Sequence, residues 1–469
     1  MRHSIRSATP SEHRSANRSP RPLREPLRDG AAKAQERAVL VSIQLPHSKS
    51  DPQDPLGELA ALAEAAGVQV VDRMTQKRMS LSPGYALGKG KLQELVERVA
   101  AASADVVIFD NDLAPRQIRG LEEQVARKVI DRSELILDIF ASRAKTREAQ
   151  LQVELAQLEY TAPRLRGMWT HLERIAGAGG GTAAGAVGGV GTRGPGERQI
   201  EIDRRVVRDR ISQLRREISE IDARKQREVR SRTEQFTVSL VGYTNSGKTT
   251  LLNKLTGAEQ FAADMLFATL ETKTARWSLG EGRTVLLSDT VGFVHDLPHH
   301  LVASFRATLE ETIHANLLLH VVDISSPMAW HQMESVEEVL TSLGCDQIPR
   351  ITLLNKIDIA NDLAVAEMLA RHRTGVIKIS ALNGDGLNDL IAEVRQRFEG
   401  DAVAATLRMP HSAGKLLTEL NRWADVKGRR YLADRVELDV RINRAQLDQL
   451  KGRFPELTIE LNSPDSSSP

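Results

Sequence analysis

The chain has 469 residues, enough for about three domains. It is 41% hydrophobic and 27% charged, which excludes a mainly disordered protein, and no stretch approaches the 18 uninterrupted apolar residues of a membrane span. Its 64 Lys and Arg nearly balance 62 Asp and Glu, so the net charge of +2 does not by itself point to nucleic acid, and the single Cys345 excludes a disulfide framework or a cysteine-based zinc site.

The amino-terminal stretch has no apolar run to act as a secretory signal. With so little cysteine, the expected compartment is the reducing cytoplasm, with peripheral membrane association left open. Residues 1–37 hold nine Lys/Arg against four Asp/Glu among many Ser and Pro, a disordered basic tail too poor in large apolar groups to offset its ordering entropy. From residue 38 the texture changes. Strands are expected at 39–43, 68–71, 106–109 and 128–130, alternating with helices at 56–66, 92–102 and 114–125. Alternation of this kind with continuous apolar strands predicts an α/β domain over 38–140 built on a parallel sheet.

Residues 141–232 read as a helical hairpin. In the first arm, 143–176, Leu151, Leu155, Leu158, Ala162, Leu165, Trp169, Leu172 and Ala176 repeat at 4-3 spacing, with Pro163 placed to kink or split the helix. In the second, 198–230, Val207, Ile211, Leu214, Ile218 and Ile221 repeat the pattern, and residues 203–232 carry eleven Lys/Arg against six Asp/Glu. Two apolar seams joined by a loop predict antiparallel arms. The basic charge off the seam fits a solvated face or contact with an RNA backbone. Between the arms, 177–196 contains ten glycines in twenty residues and reads as a mobile loop. Its Gly189-Val190-Gly191-Thr192-Arg193-Gly194 matches GxGxxG, but a dinucleotide site needs a strand before it and a helix opening on it, and neither is predicted here.

A second α/β domain is expected over 235–400. A small α+β domain follows over 401–460, with strands at 403–407, 435–441 and 456–460 and helices at 412–424 and 444–452, then a polar tail at 461–469. The chemistry sits in the second α/β domain. Strand residues Phe236-Thr237-Val238-Ser239-Leu240-Val241 run into Gly242-Tyr243-Thr244-Asn245-Ser246-Gly247-Lys248-Thr249, and Thr250 continues a helix. This is GxxxxGK[ST] in its strand–loop–helix setting. Glycines let backbone N–H groups turn inward around phosphates, Lys248 reaches the terminal phosphates and the Thr249 hydroxyl coordinates Mg2+. Asn355-Lys356-Ile357-Asp358 closes the apolar strand Ile351-Thr352-Leu353-Leu354, 107 residues after Lys248. The Asp358 carboxylate matches the two adjacent donors of guanine, Asn355 can meet the purine edge and the Lys356 stem can lie along the base. Ser380-Ala381-Leu382 offers a backbone donor to the guanine oxygen. Between these, Asp289-Thr290-Val291-Gly292 follows a strand, Asp289 as an outer-shell Mg2+ carboxylate and the Gly292 N–H for the γ-phosphate. Phe267-Ala268-Thr269-Leu270-Glu271 offers Thr269 as a second Mg2+ ligand, with Thr272 and Thr274 as nearby rivals. No catalytic side chain is assigned, because the position after Gly292, often a water-orienting Gln, is Phe293. Order and spacing read as a GTPase of the translation-factor-related class. The fold expected is thus multidomain α/β, a P-loop domain with a mostly parallel sheet and flanking helices, preceded by an α/β domain and a helical hairpin.

Beyond the nucleotide motifs, the chain resembles the HflX-type GTPases over about residues 38–400. The resemblance is carried by Tyr85-Ala86-Leu87-Gly88-Lys89-Gly90-Lys91, Glu134-Leu135-Ile136-Leu137-Asp138-Ile139-Phe140, Leu151-Gln152-Val153-Glu154-Leu155-Ala156-Gln157-Leu158, Gly191-Thr192-Arg193-Gly194-Pro195-Gly196-Glu197, Asp289-Thr290-Val291-Gly292-Phe293 and Phe305-Arg306-Ala307-Thr308-Leu309-Glu310. It departs from the family in an Ala/Gly expansion around 176–187, in Glu271-Thr272-Lys273 where Asp-Pro is usual, and in Arg198 where Thr is common. The resemblance implies hydrolysis of GTP to GDP, binding to the large (50S) ribosomal subunit and its rRNA, and splitting or rescue of stalled 70S ribosomes, with the first domain and hairpin reaching toward the subunit's catalytic centre. A second nucleotide site for ATP in the first domain, near Lys89 and Lys91, stays open. A monomer is expected. Two rival readings are a P-loop ATPase acting on RNA and a GTP-gated binding switch that barely hydrolyses.

Overall fold

The computed structural model describes residues 35–46, 48, 50–164, 195–231, 236–258, 266–267, 272–280, 283–295, 309–360, 367–369, 375–400, 402–411, 420, 424–443, 447, 450–451, 454 and 457–461, with the backbone alone at 195–204, 222, 225–231, 310, 402, 425 and 443. The basic tail up to residue 34, the glycine loop at 177–194, the first hairpin arm beyond residue 164 and the polar tail from 462 lie outside these residues. No described helix is long and apolar enough to cross a membrane.

Three sheets organise the described chain. The first, in the order β2-β1-β3-β4, is wholly parallel and consists of β1 (Arg37–Gln44), β2 (Gln69–Lys77), β3 (Val106–Phe109) and β4 (Lys128–Asp131). Its crossover helices are α1 (Gly57–Ala65), α2 (Lys89–Ala101) and α3 (Pro115–Val125). Strand β2 is longer than the expected 68–71, because Asp72 to Lys77 keep pairing in register with Val39 to Gln44 even though all of them but Met74 are polar. A further helix, α4 (Arg132–Arg143), was not expected as a separate element. Asp131 ends β4 and caps this helix, accepting from the Glu134 N–H at 3.0 Å, and Leu135, Ile136, Ile139 and Phe140 are buried by it.

The hairpin's first arm, α5 (Arg147–Thr161), is capped by Thr146 and passes into a single 3-10 turn at Ala162–Arg164, where Pro163 removes a helical donor. The second arm, α6 (Pro195–Ser231), starts three residues earlier than expected, with proline at its first position where no N–H is needed. Helix α5 is buried on two sides. Val153 and Ala156 enter the core of the first domain, while Leu151 and Leu155 meet Leu214 of α6. Arg210 and Glu154 form a two-pronged pair at 2.8 Å, and Arg215 donates to Glu159 at 2.7 Å. So Arg215, one of the basic residues at 203–232, also bridges the two arms.

The second sheet has the order β10-β9-β8-β5-β7-β6. Its strands are β5 (Thr237–Gly242), β6 (Lys273–Gly280), β7 (Arg283–Asp289), β8 (Leu317–Asp323), β9 (Arg350–Asn355) and β10 (Val376–Lys378). All pair in parallel except β6, an unexpected edge strand that runs antiparallel to β7 and buries Trp277. The helices α7 (Lys248–Thr256), α8 (Ala329–Ser342) and α9 (Leu387–Gly400) flank it.

The third sheet, β12-β13-β11-β14, is antiparallel and comprises β11 (Ala402–Met409), β12 (Asp425–Tyr431), β13 (Val436–Asn443) and β14 (Thr458–Leu461). Strand β12 escaped the sequence reading because its Asp, Lys and Arg residues suit an exposed edge rather than an apolar core. The helices expected at 412–424 and 444–452 fall mostly outside the described residues, but Leu420, Leu447 and Leu450 pack on this sheet.

The fully buried Leu214 carries the hairpin seam, whereas the Arg215–Glu159 pair is solvent-exposed on the arginine side. Leu214→Ala should lower the stability of the hairpin by about 2–4 kcal/mol, and Arg215→Ala by about 0.5 kcal/mol or less. Urea unfolding followed by helical circular dichroism checks both.

Candidate nucleotide-binding site

The four parallel strands β5, β7, β8 and β9 end at Gly242, Asp289, Asp323 and Asn355, so one edge of the sheet presents the phosphate loop, the Asp289-to-Gly292 segment and the Asn355-to-Asp358 turn. The loop 243–247 leaves β5 and delivers Lys248 to the start of α7. Gly247 adopts φ +95°, and a side-chain carbon on it would stand 2.3 Å from Asn355 Nδ2, so only glycine fits. Lys248 is buried. Its Nζ donates to the carbonyls of Gly242 at 3.1 Å and Tyr243 at 2.7 Å. Burial, opposed in part by the Asp289 carboxylate, lowers its pKa to about 8. Thr249 Oγ1 donates to Asp289 Oδ2 at 2.6 Å. Thr244 Oγ1 and Ser246 Oγ are buried without a hydrogen-bond partner, a debt that a bound ligand can settle. Asn245 is exposed at φ +60°, and Thr250 is half-buried in the first turn of α7.

Asp289, Thr290, Val291 and Gly292 follow β7 into this edge. Thr290 Oγ1 donates to Leu240 O at 2.6 Å, and Val291 is buried. The next residue is zipped onto the phosphate loop, with Phe293 N–H donating to Gly242 O at 3.1 Å and Thr244 N–H donating to Phe293 O at 2.7 Å. The Phe293 ring is buried in a core shared with Tyr243, Phe267 and the first domain's Phe140. Phe267 meets Phe140 edge to face at 4.6 Å, and Arg143 Nη1 donates to Leu266 O at 2.7 Å. Ala268, Thr269, Leu270 and Glu271 lie outside the described residues.

At the base end, Asn355 Nδ2 donates to Ser246 O at 2.8 Å and its Oδ1 accepts from Ala381 N–H at 2.9 Å, so this side chain joins the phosphate loop to the 380–382 loop that is expected to supply a backbone donor to the guanine oxygen. Asn355 and Ala381 are both buried, and a buried amide must be paired. Asn355 acts as a strut between the phosphate loop and the 380–382 loop. Lys356, at φ +65°, pairs with Asp323 at 2.7 Å, an aspartate closing β8 that the sequence reading passed over. Ile357 N–H donates to Ile379 O at 3.4 Å, Ser380 Oγ accepts from Asn383 N–H at 3.1 Å, and Asp358 and Leu382 are exposed beside them.

A second group of polar residues at this edge has no sequence signature, because its members lie far apart in the chain. Tyr243 Oη donates to Glu58 of α1 at 2.8 and 2.9 Å and accepts from the His295 N–H at 2.8 Å, and His295 Nδ1 lies 2.8 Å from Glu58 Oε2. Arg132 bridges Glu58 and Asp110. Burial would raise the Glu58 pKa, but the Arg132 guanidinium and the His295 and Tyr243 contacts hold it down at about 2.

Four family profiles match the chain. GTP-binding GTPase N-terminal matches residues 53–141, GTP-binding GTPase Middle Region 143–232, 50S ribosome-binding GTPase 237–356 and HflX C-terminal domain 365–460. The GTPase HflX of Caldanaerobacter subterraneus subsp. tengcongensis is 41% identical over 382 residues, spanning 81% of this chain and 85% of that protein. The GTPase HflX of Escherichia coli is 42% identical over 386 residues, spanning 82% and 88%. Among solved structures, a GTP-binding protein from the hyperthermophilic archaeon Sulfolobus solfataricus in complex with GDP is 26% identical, covering 77% of this chain and 98% of that one at a TM-score of 0.40.

Lys248 binds its proton less tightly in the folded protein than the ordinary value of 10.5, so the ligand-free fold carries the full cost below about pH 8 and recovers it as pH rises toward 10.5. Lys248→Met should erase that rise, worth up to about 3 kcal/mol in the wild type, while lowering triphosphate affinity about 100-fold. Urea melts at pH 7 and pH 10, with nucleotide titration, check the two effects separately.

Proposed function

The chain belongs to the HflX family of GTPases, and on that premise we propose that it binds the large ribosomal subunit through rRNA and couples GTP hydrolysis to splitting or rescue of stalled 70S ribosomes. It would act in the cytoplasm as a monomer. In this reading the amides of loop 243–247 and Lys248 hold the phosphates, the Gly292 N–H takes the γ-phosphate and Asp358 accepts from both guanine donors. Thr249 would hold Mg2+, with Thr269 as the second switch ligand and Asp289 in the outer shell behind the Thr249 hydroxyl. Few hard oxygen donors beside a phosphate loop suit an ion that keeps most of its coordination for water and phosphate, and when bound it neutralises charge developing on the phosphates.

One observation carries the partner. Phe293, 2% exposed, stands where many GTPases place a water-orienting glutamine, and its ring is built into a hydrophobic core. The phosphate set is intact while no side chain at that position can orient water, so the group that lowers the barrier comes from elsewhere. A ribosome that orders the switches could supply it, with the basic arm α6 giving phosphate contact through residues such as Arg205 and Arg208, both exposed. Of the two rivals, an adenine-specific ATPase is disfavoured by Asp358. The barely hydrolysing switch differs only in lacking partner stimulation.

GTP turnover measured with and without purified 50S subunits should rise at least tenfold with the subunit, a gain that shrinks as salt rises and on neutralising Arg205 and Arg208. Equal rates leave the slow switch. Asp358→Asn should weaken GTP about 100-fold and shift preference to xanthosine triphosphate, whose O2 accepts from the new amide. Competition titration reads that outcome, and equal competition by ATP and GTP in the wild type would refute the base assignment.

A further inference from the structure

Lys356 stands in a conformation that its residue type does not favour. Its φ is +65°, in the left-handed region, and a non-glycine residue stays there only when its surroundings hold it. Its neighbours have separate tasks: Asn355 is buried and braces the phosphate loop, while Asp358 is exposed at the end of the turn. The Lys356 side chain is held at its far end, where Nζ meets Asp323 Oδ2 at 2.7 Å. Asp323 ends β8 directly opposite Asn355 at the end of β9, and neighbouring strands lie about 4.8 Å apart. The four-carbon stem therefore runs across the ends of two strands rather than out into solvent.

The Asp323 carboxylate is itself fixed. Its Oδ1 accepts from the Ser325 N–H at 3.0 Å and from Ser325 Oγ at 2.6 Å, which leaves Oδ2 turned to Lys356. The side chains of Lys356 and Asp323 are 23% and 16% exposed, so the pair is largely shielded while part of the stem stays open. A guanine whose donors reach Asp358 lies along that stem, because Lys356 and Asp358 belong to one turn. A flat ring gains most from an apolar surface that is already still. An untethered lysine would have to be ordered at the moment of binding, and that lost freedom is subtracted from affinity.

We infer that Asp323 is a positioning residue for the guanine base: it fixes the Lys356 ammonium so that the aliphatic stem is set in advance as a floor under the ring. The inference rests on the site assignment above and extends it to an aspartate one strand away from the base-binding turn. Acting through the face of the ring, Asp323 sets how tightly a purine is held. Asp358, at the edge of the ring, sets which purine is chosen.

The test is titration of the full chain with GDP and with inosine diphosphate, read by displacement of a fluorescent GDP. Inosine lacks the exocyclic amine that Asp358 reads but offers the same face to the stem. Asp323→Asn, which keeps the size and turns an amide donor toward the ammonium, should weaken both nucleotides about tenfold and leave their ratio unchanged. Lys356→Met, which keeps an unbranched stem with no ammonium to fix, should weaken them similarly. The double variant should be no weaker than Lys356→Met alone, as two changes to one contact require. Unchanged affinity in Asp323→Asn overturns the inference. Losses that multiply in the double variant also overturn it and leave Asp323 as a brace for the fold. A ratio that narrows overturns it as well, by showing that Asp323 acts through Asp358. If Asp323→Asn does not melt cooperatively, Ser325→Ala, which frees the carboxylate to turn, gives the same readout with a smaller loss. A wild-type chain that binds neither nucleotide overturns the site assignment itself.

Discussion

Parallel strands all finish at the same edge of a sheet, and in this protein that constraint gathers four separate stretches of sequence into one place. Gly242, Asp289, Asp323 and Asn355 each close a strand of the second sheet, so the turns after them face one another without any long-range design beyond strand order. Strand termini are also where backbone groups run out of ladder partners, which leaves N–H groups to take an anionic ligand. The buried, unpartnered hydroxyls of Thr244 and Ser246 are the side-chain counterpart of the same demand.

Two buried polar ties keep that edge rigid. Asn355 joins the phosphate loop to the 380–382 loop inside the domain, and Glu58 joins the phosphate loop to the 292–295 segment from outside it. Each satisfies groups that would otherwise be buried unpaired, at about 1–3 kcal/mol per group. The Glu58 tie acts with apolar contact, since Phe140 of α4 and the G-domain residues Tyr243, Phe267, Phe293 and Val294 share one core. The first domain thus touches both the phosphate loop and the 292–295 segment.

The hairpin has a different logic. Helix α5 is packed against the first domain on one side and against α6 on the other, so α6 is carried as a fixed extension of that domain. Two of its arginines, Arg210 and Arg215, pair with glutamates of the facing arm.

Much was legible in the chain itself, because local patterns have local causes. The phosphate loop, the Asn355-Lys356-Ile357-Asp358 turn, the alternating strands and helices and the seam around Leu151, Leu155 and Leu214 are each set by residues within a few positions of one another. Helix α4 went unread because an apolar stretch after a capping Asp131 continues a strand pattern without a break, and β12 because an edge strand needs no apolar face. The pairing of Asn355 with Ser246 and Ala381 could not be read, since it depends on which loops pack beside the strand end. Glu58, Arg132, Tyr243 and His295 are spread over more than two hundred residues, so no spacing rule connects them. Only the packing of one domain on another, driven by the apolar surface they bury together, brought those four side chains within hydrogen-bonding distance.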